Sequence, residues 1–256
     1  MCIYYGVIDR AMSRTFANYL GDLDPEAVIV SPPPAIAKAS WGEVRAYALR
    51  GKRQYAAYFH YLPNGTKPAT ASGWKVTVDV PADRMTAMWI STHGGSNISG
   101  EVGELLQSYP VKPGPQALTI PDFESGVLLL IKQLDDSKPI LQFKACGYYM
   151  PEDCGKTVIE VQRLGSAVGA VSVKYATGDD TALSGTDYAA ASGTLRWGDG
   201  DKSVRTISIP IVNRPDALDD YDRGFHVVLS EPSGGAVLGP AHTTIVGILG
   251  RTVWKP

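Results

Sequence analysis

The sequence holds only three cysteines, Cys2, Cys146 and Cys154, in 256 residues. None stands in a C-x-x-C pair or at Cys/His ligand spacing, which excludes a densely stapled scaffold and a zinc ribbon. Cys146 and Cys154 are near enough in sequence for one bridge, and the spacing leaves that open. A basic excess is also missing. Lys and Arg number 24 against 26 for Asp and Glu, a formal net charge of −2, which argues against a nucleic-acid partner. No apolar run approaches the ~18 residues of a membrane helix, so membrane insertion is not expected. The longest, Val127–Ile131, suits a buried strand. The opening Met-Cys-Ile-Tyr-Tyr-Gly lacks the basic start and apolar core of a secretory signal. What remains is an ordinary globular composition, 44% hydrophobic and 20% charged, of a length that fits one or two domains.

Catalytic signatures are equally scarce. There is no P-loop, G-x-G-x-x-G, H-E-x-x-H or EF-hand loop. His60 and His226 fall inside strand-like runs, where packing roles dominate, and His242 has no ligand-spaced partner. His93-Gly-Gly-Ser resembles an oxyanion loop, but its partner motif G-x-S-x-G is absent. Asp135-Asp136 adjoins Ser137, Lys138 and Pro139, the composition of a solvated turn. Asn64-Gly-Thr and Asn97-Ile-Ser fit the glycosylation pattern, which has little weight without an export signal. The chain reads as a non-enzyme with no cofactor expected, calcium excepted as set out below.

The expected organisation is all-β, with two β-sandwich domains behind a short lead. Residues 1–53 read as an irregular lead segment. Ile8, Met12, Phe16, Tyr19 and Leu20 sit at helical spacing before Gly21, and Ser31-Pro-Pro-Pro34 reads as a Pro-rich linker. Residues 54–149 read as a β-sandwich-like domain, with strand runs at Gln54–Tyr61, Trp74–Val80, Ala87–Thr92, Ala117–Ile120, Val127–Gln133 and Ile140–Ala145. Strict alternation places Trp74, Val76, Val78 and Val80 on one face. The rings of Tyr55, Tyr58, Phe59, Tyr61, Trp74 and Trp89 would make a sugar platform only if they faced solvent. Alternation sends at least half of them to the core.

Residues 150–256 carry strand runs at Thr157–Gln162, Ala170–Tyr175, Val204–Val212, Gly224–Leu229 and Thr243–Leu249, separated by turn residues at the spacing of a sandwich. Between them stand Thr177-Gly-Asp-Asp-Thr-Ala-Leu-Ser-Gly-Thr-Asp-Tyr188, then Gly193-Thr-Leu-Arg-Trp197, and later Leu229-Ser-Glu-Pro232. This ordered set resembles the Calx-beta domain, whose pattern is T-x-D-G-T-A, G-x-D-Y, G-T-L-x-F, an acidic loop before E-x-F, and L-S-x-P. The resemblance implies an immunoglobulin-like sandwich and a calcium site at one end of it. Calcium takes about six to eight oxygens, so several carboxylates must converge.

Carried over residue by residue, the resemblance places calcium ligands at Glu152, Asp179 and Asp220. Other ligand positions fall on Asn213, Arg214, Arg223, Gly250 and Arg251, so three arginines stand where the family has acids. Asp216, Asp219 or Asp222 could substitute, because the loop is longer than usual. Two arrangements are open. Calcium binds weakly through Glu152, Asp179 and Asp220, or Arg214, Arg223 and Arg251 take the ion's place and pair with those carboxylates. A guanidinium fork suits carboxylates and would repel calcium, so the charge pattern favours the second.

The functional expectation is a structural or adhesion protein acting through protein–protein contacts, by self-assembly or with other structural proteins. By analogy with small signal-less sandwiches of tailed phages, the expected location is a virion, in its tail, baseplate or capsid decoration. The alternative is a calcium-dependent cell-surface or secreted adhesin, or a carbohydrate-binding module, reaching a host glycan or protein by a non-classical export route.

Overall fold

The computed structural model describes residues 18–20, 25–31, 33–37, 43–62, 70–92, 101–124, 126–214 and 223–249. It is built almost wholly of strands and divides into two compact units, residues 19–96 with 103–134, and residues 1–18 with 97–102 and 135–256. Of the helix expected over 8–20, only residues 18–20 are described, and these are helical. The rest lies outside the described residues.

The first unit begins with β1 (Val28–Ile29), β2 (Ala35–Ala37), β3 (Glu43–Arg50), β4 (Gln54–Leu62), β5 (Lys75–Val80) and β6 (Met85–Ser91). The next strand, β7 (Glu101–Val102), belongs to the second unit. The first unit then resumes with β8 (Leu105–Val111), β9 (Gly114–Thr119) and β10 (Gly126–Gln133). A six-stranded sheet has the order β1-β3-β4-β10-β6-β8, and a three-stranded sheet the order β2-β5-β9. Their inner faces share one core. Tyr55, Phe59, Trp89, Val127 and Leu129 enter it from the larger sheet, and Val76, Val78 and Val80 from the smaller, with Trp74 just before β5. Each such side chain contributes about 1.5–3 kcal/mol on burial.

The alternation expected of Trp74–Val80 is therefore real, and it also disposes of the sugar platform. Tyr55, Phe59, Tyr61, Trp74 and Trp89 are all at most 4% exposed, leaving only Tyr58 half-buried. The irregular lead needs correcting. Residues 43–50 form β3, paired along its whole length with β4. Val44, Ala46 and Ala48 turn to the core while Glu43, Arg45 and Tyr47 face out.

The second unit holds β11 (Pro139–Phe143), β12 (Gly147–Pro151), β13 (Lys156–Gly165), β14 (Val171–Gly178), β15 (Ser192–Trp197), β16 (Arg205–Pro210), β17 (Arg223–Ser233), β18 (Val237–Leu238) and β19 (Thr243–Leu249). One sheet runs β16-β13-β11-β18 and the other β15-β14-β17-β19-β12-β7. Phe143, Ile159, Val161, Val173, Trp197, Ile207, Phe225 and Val246 meet in the core between them. Gly193 in the G-T-L motif sits directly opposite Tyr175. A Cβ there would fall 2.8 Å from the tyrosine Oη, so glycine makes room for the ring.

The junction expected near residue 150 falls at 135 instead. β11 pairs antiparallel with β13, and β12 parallel with β19, so both belong to the C-terminal sandwich. Cys146 and Cys154 do not bridge; the first is buried and the second exposed.

Candidate functional site: a carboxylate cluster filled by arginines

Glu152 opens a single 3-10 turn, Glu152–Cys154, between β12 and β13. Pro151 before it is extended, and Gly155 after it has φ of 74°, a left-handed conformation that glycine tolerates and that redirects the chain into β13. This kink carries the glutamate inward, where it is 4% exposed. Its Oε1 accepts the backbone N–H of Arg214 at 2.7 Å. Its Oε2 accepts Nη2 of Arg223 at 2.6 Å. Arg223 is the first residue of β17, set opposite Ile248 of β19, and is itself 6% exposed.

The second carboxylate is Asp187, 3% exposed. It closes the turn that follows β14. Its Oδ2 accepts the Leu183 N–H at 2.8 Å and its own N–H donates to the Leu183 carbonyl. Its Oδ1 accepts Nη1 of Arg214 at 2.9 Å and lies 3.2 Å from Nη1 of Arg223. The Arg223 contact is close enough for charge attraction but is not aligned as a hydrogen bond. Two carboxylates and two guanidiniums thus form one cluster, neutral among the described residues and buried except for Arg214, whose side chain is 27% exposed. Every carboxylate oxygen in it already accepts a donor from the chain, so as arranged these residues do not fit calcium. Among the described residues no group of three or more His, Cys, Asp or Glu side chains is placed to hold a metal ion.

Of the residues named from the sequence, Glu152, Arg214 and Arg223 come together in this cluster. Asp220 and Arg251 lie outside the described residues, as do Asp216, Asp219 and Asp222. Asp179 requires a correction. It is exposed, and its partners are hydroxyl and backbone groups rather than an arginine. Ser184 N–H donates to Oδ1 at 2.9 Å and Tyr188 Oη donates to the same oxygen at 2.5 Å. The Tyr188 bond, then the Ser184 bonds, hold the Asp179 carboxyl below its ordinary range. Burial, then the bond to Asp179, push the Tyr188 phenol up to about 12. The residue that sequence reasoning missed is Asp187. It sits in the G-x-D-Y motif, and the signal was there, since a turn aspartate beside a tyrosine was read only as part of the turn.

Asp201, in the β15–β16 loop, is lowered further, to about 2, chiefly by hydrogen bonds from Ser203 and then by Arg205. A depressed folded pKa contributes stability that is present above the unfolded value, about 3.9, and lost as pH falls through the folded one. Resistance to denaturant is therefore expected to fall as pH drops from about 4 to about 2. Asp201→Asn should flatten that slope; an unchanged slope would mean other carboxylates set it.

Residues 135–251 match the family model described as the Calx-beta domain. The adhesion G-protein coupled receptor V1 of Danio rerio is 31% identical over 151 residues, 57% of this chain and 2% of the receptor. The sodium/calcium exchanger Calx of Drosophila melanogaster is 32% identical over 119 residues, 46% of this chain and 12% of the exchanger. The chain thus spans a small part of these relatives' length. The crystal structure of the apo-form Calx CBD1 domain is 29% identical, covering 44% of this chain and 96% of that one, with a TM-score of 0.41. Neither of these two relatives is a virion protein. No helix among the described residues is long and apolar enough to cross a membrane. With its ordered motifs, its sandwich and this match in agreement, residues 135–251 are a Calx-beta domain.

Proposed function

We propose that this chain is a non-catalytic adhesion or interaction module whose Calx-beta domain is held in shape by arginines at the end where its relatives' calcium chemistry would operate. The observation that carries the reading is Glu152. One of its oxygens takes the Arg214 backbone and the other the Arg223 guanidinium, so a single carboxylate fastens residues 214 and 223 on either side of the loop joining β16 to β17. A bound ion would do the same by drawing several carboxylates together. A fixed guanidinium does it without depending on calcium concentration. Binding then falls to loops and free strand edges, which offer unpaired backbone donors and acceptors to other proteins or to further copies of the chain. The name sodium/calcium exchanger among the similar proteins supports the family's calcium theme. The assignment to a virion gains nothing from the relatives.

Thermal unfolding in EGTA and in millimolar calcium tests this. The midpoint is expected to be the same in both. A ligand at about a hundred times its Kd adds about 2.7 kcal/mol, so a rise of several degrees in calcium would refute the arginine reading and favour a working calcium site.

A further inference from the structure

Arg163 stands near the end of β13, whereas Glu152 precedes its start. The side chain is 2% exposed, yet all of its acceptors are backbone carbonyls. Nε donates to Ser166 O at 3.2 Å. Nη1 donates to Gly198 O at 3.0 Å and Asp201 O at 3.2 Å. Nη2 donates to Val168 O at 3.1 Å and Gly169 O at 3.0 Å. A guanidinium has five N–H groups, and each has one oxygen here. The oxygens come from two separate loops, residues 166–169 between β13 and β14, and residues 198–201 between β15 and β16. The loops are also tied to each other, through Gly169 N–H to Asp199 Oδ1 at 2.6 Å and Gly200 N–H to Ala167 O at 2.9 Å.

We infer that this is a guanidinium-binding site whose ligand the chain supplies itself, an oxygen cage that fastens two loops into one preorganised face. Five carbonyl dipoles turned toward one point repel one another unless a cation lies among them. One acceptor for each N–H of the fork suits a planar delocalised ion rather than a spherical one. The inference is independent of the calcium question, since it concerns different residues at the other end of β13. Arg163→Ala removes the ligand and leaves the cage as a receptor for free guanidinium.

The test is thermal unfolding of Arg163→Ala in guanidinium chloride at low millimolar concentration, with matched sodium chloride and matched urea as controls. Saturable recovery of the midpoint by guanidinium alone is expected, with no such gain in the wild type. Recovery by sodium chloride to the same extent, or no recovery in a folded variant, overturns the inference. Should Arg163→Ala not fold, Arg163→Lys retains the charge without the fork. Hydrogen exchange of the Gly169 and Gly200 amides should then quicken by about tenfold or more, the loss that one charge-assisted hydrogen bond entails. Wild-type protection in Arg163→Lys would show that a point charge suffices, and the guanidinium site would be disproved. Chelator has no bearing on either readout, so failure here is distinguishable from failure of the calcium-independence proposal.

Discussion

Arg223→Met should destabilise the C-terminal domain by about 3–5 kcal/mol, the loss usual when one partner of a buried ion pair is removed. Methionine keeps most of the unbranched volume, so the effect is electrostatic rather than a cavity. Glu152 would keep the Arg214 backbone N–H and Asp187 the Arg214 guanidinium. Two nearly inaccessible carboxylates would then share one cation. A companion substitution separates the pair from its surroundings. Glu152→Gln alone leaves Arg223 with Asp187 as its one buried counter-charge, whereas Glu152→Gln with Arg223→Met removes both charges together. Replacing both members of a buried pair is often close to neutral, so the double variant should be more stable than Arg223→Met. Chemical denaturation of the three variants reads this directly. If the double variant is as unstable as the sum of the singles, Glu152 and Arg223 are uncoupled and the cluster does not fasten the loop.

How much of this was legible in the sequence depended on which physical signal each segment carried. β5 was plain, because its apolar and polar residues alternate without interruption. β3 was missed because Glu43, Arg45, Ala46, Ala48 and Leu49 are helix formers. Its strand state is imposed by pairing with β4, which sets Ala46 opposite Phe59 and Ala48 opposite Ala57. β8 was hidden by Pro110, which is tolerated because β8 is an edge strand. The junction was placed too late because a short, wholly buried run such as Ile140–Phe143 reads the same whichever sandwich it joins. Only the pairing partner, β13, decides it.

At the site, motif register named Glu152, Arg214 and Arg223 by matching them to ligand positions. It could not say which carboxylate each arginine would meet. Asp179 and Asp187 lie on the same turn and are chemically identical in sequence. The first faces water with hydroxyl partners, while the second is buried against both guanidiniums. That difference arises from the turn's tertiary seating. Arg163 illustrates the same limit. An arginine in an alternating strand has no sequence mark that separates a solvated side chain from one enclosed by five carbonyls.

That seating depends on Phe225, and Phe225→Ala should cost about 3–5 kcal/mol, as for other fully buried phenylalanines. The ring is 0% exposed and stacks on Tyr188 with centroids 3.8 Å apart and planes 7° from parallel. Tyr188 neighbours Asp187 in sequence and donates to Asp179, so the stack presses the whole 179–188 turn against the start of β17. Hydrogen bonds reinforce it, from Ala182 N–H to Gly224 O and from Gly224 N–H to the Thr181 side-chain Oγ1. Phe225→Leu distinguishes volume from stacking. It keeps most of the apolar bulk, and its loss beyond that of a volume-conserving swap should be about 0.5–1.5 kcal/mol, the worth of an aromatic pair. In a double-mutant cycle with Tyr188→Leu that excess should vanish, because the second ring is already gone. The same cycle probes the ionic cluster. Loosening the stack should also weaken the coupling between Arg214 and Asp187, since Asp187 would lose the rigid neighbour that aims it. A loss under about 2 kcal/mol for Phe225→Ala would mean that the cavity collapses freely, and the turn would then be held by its hydrogen bonds alone.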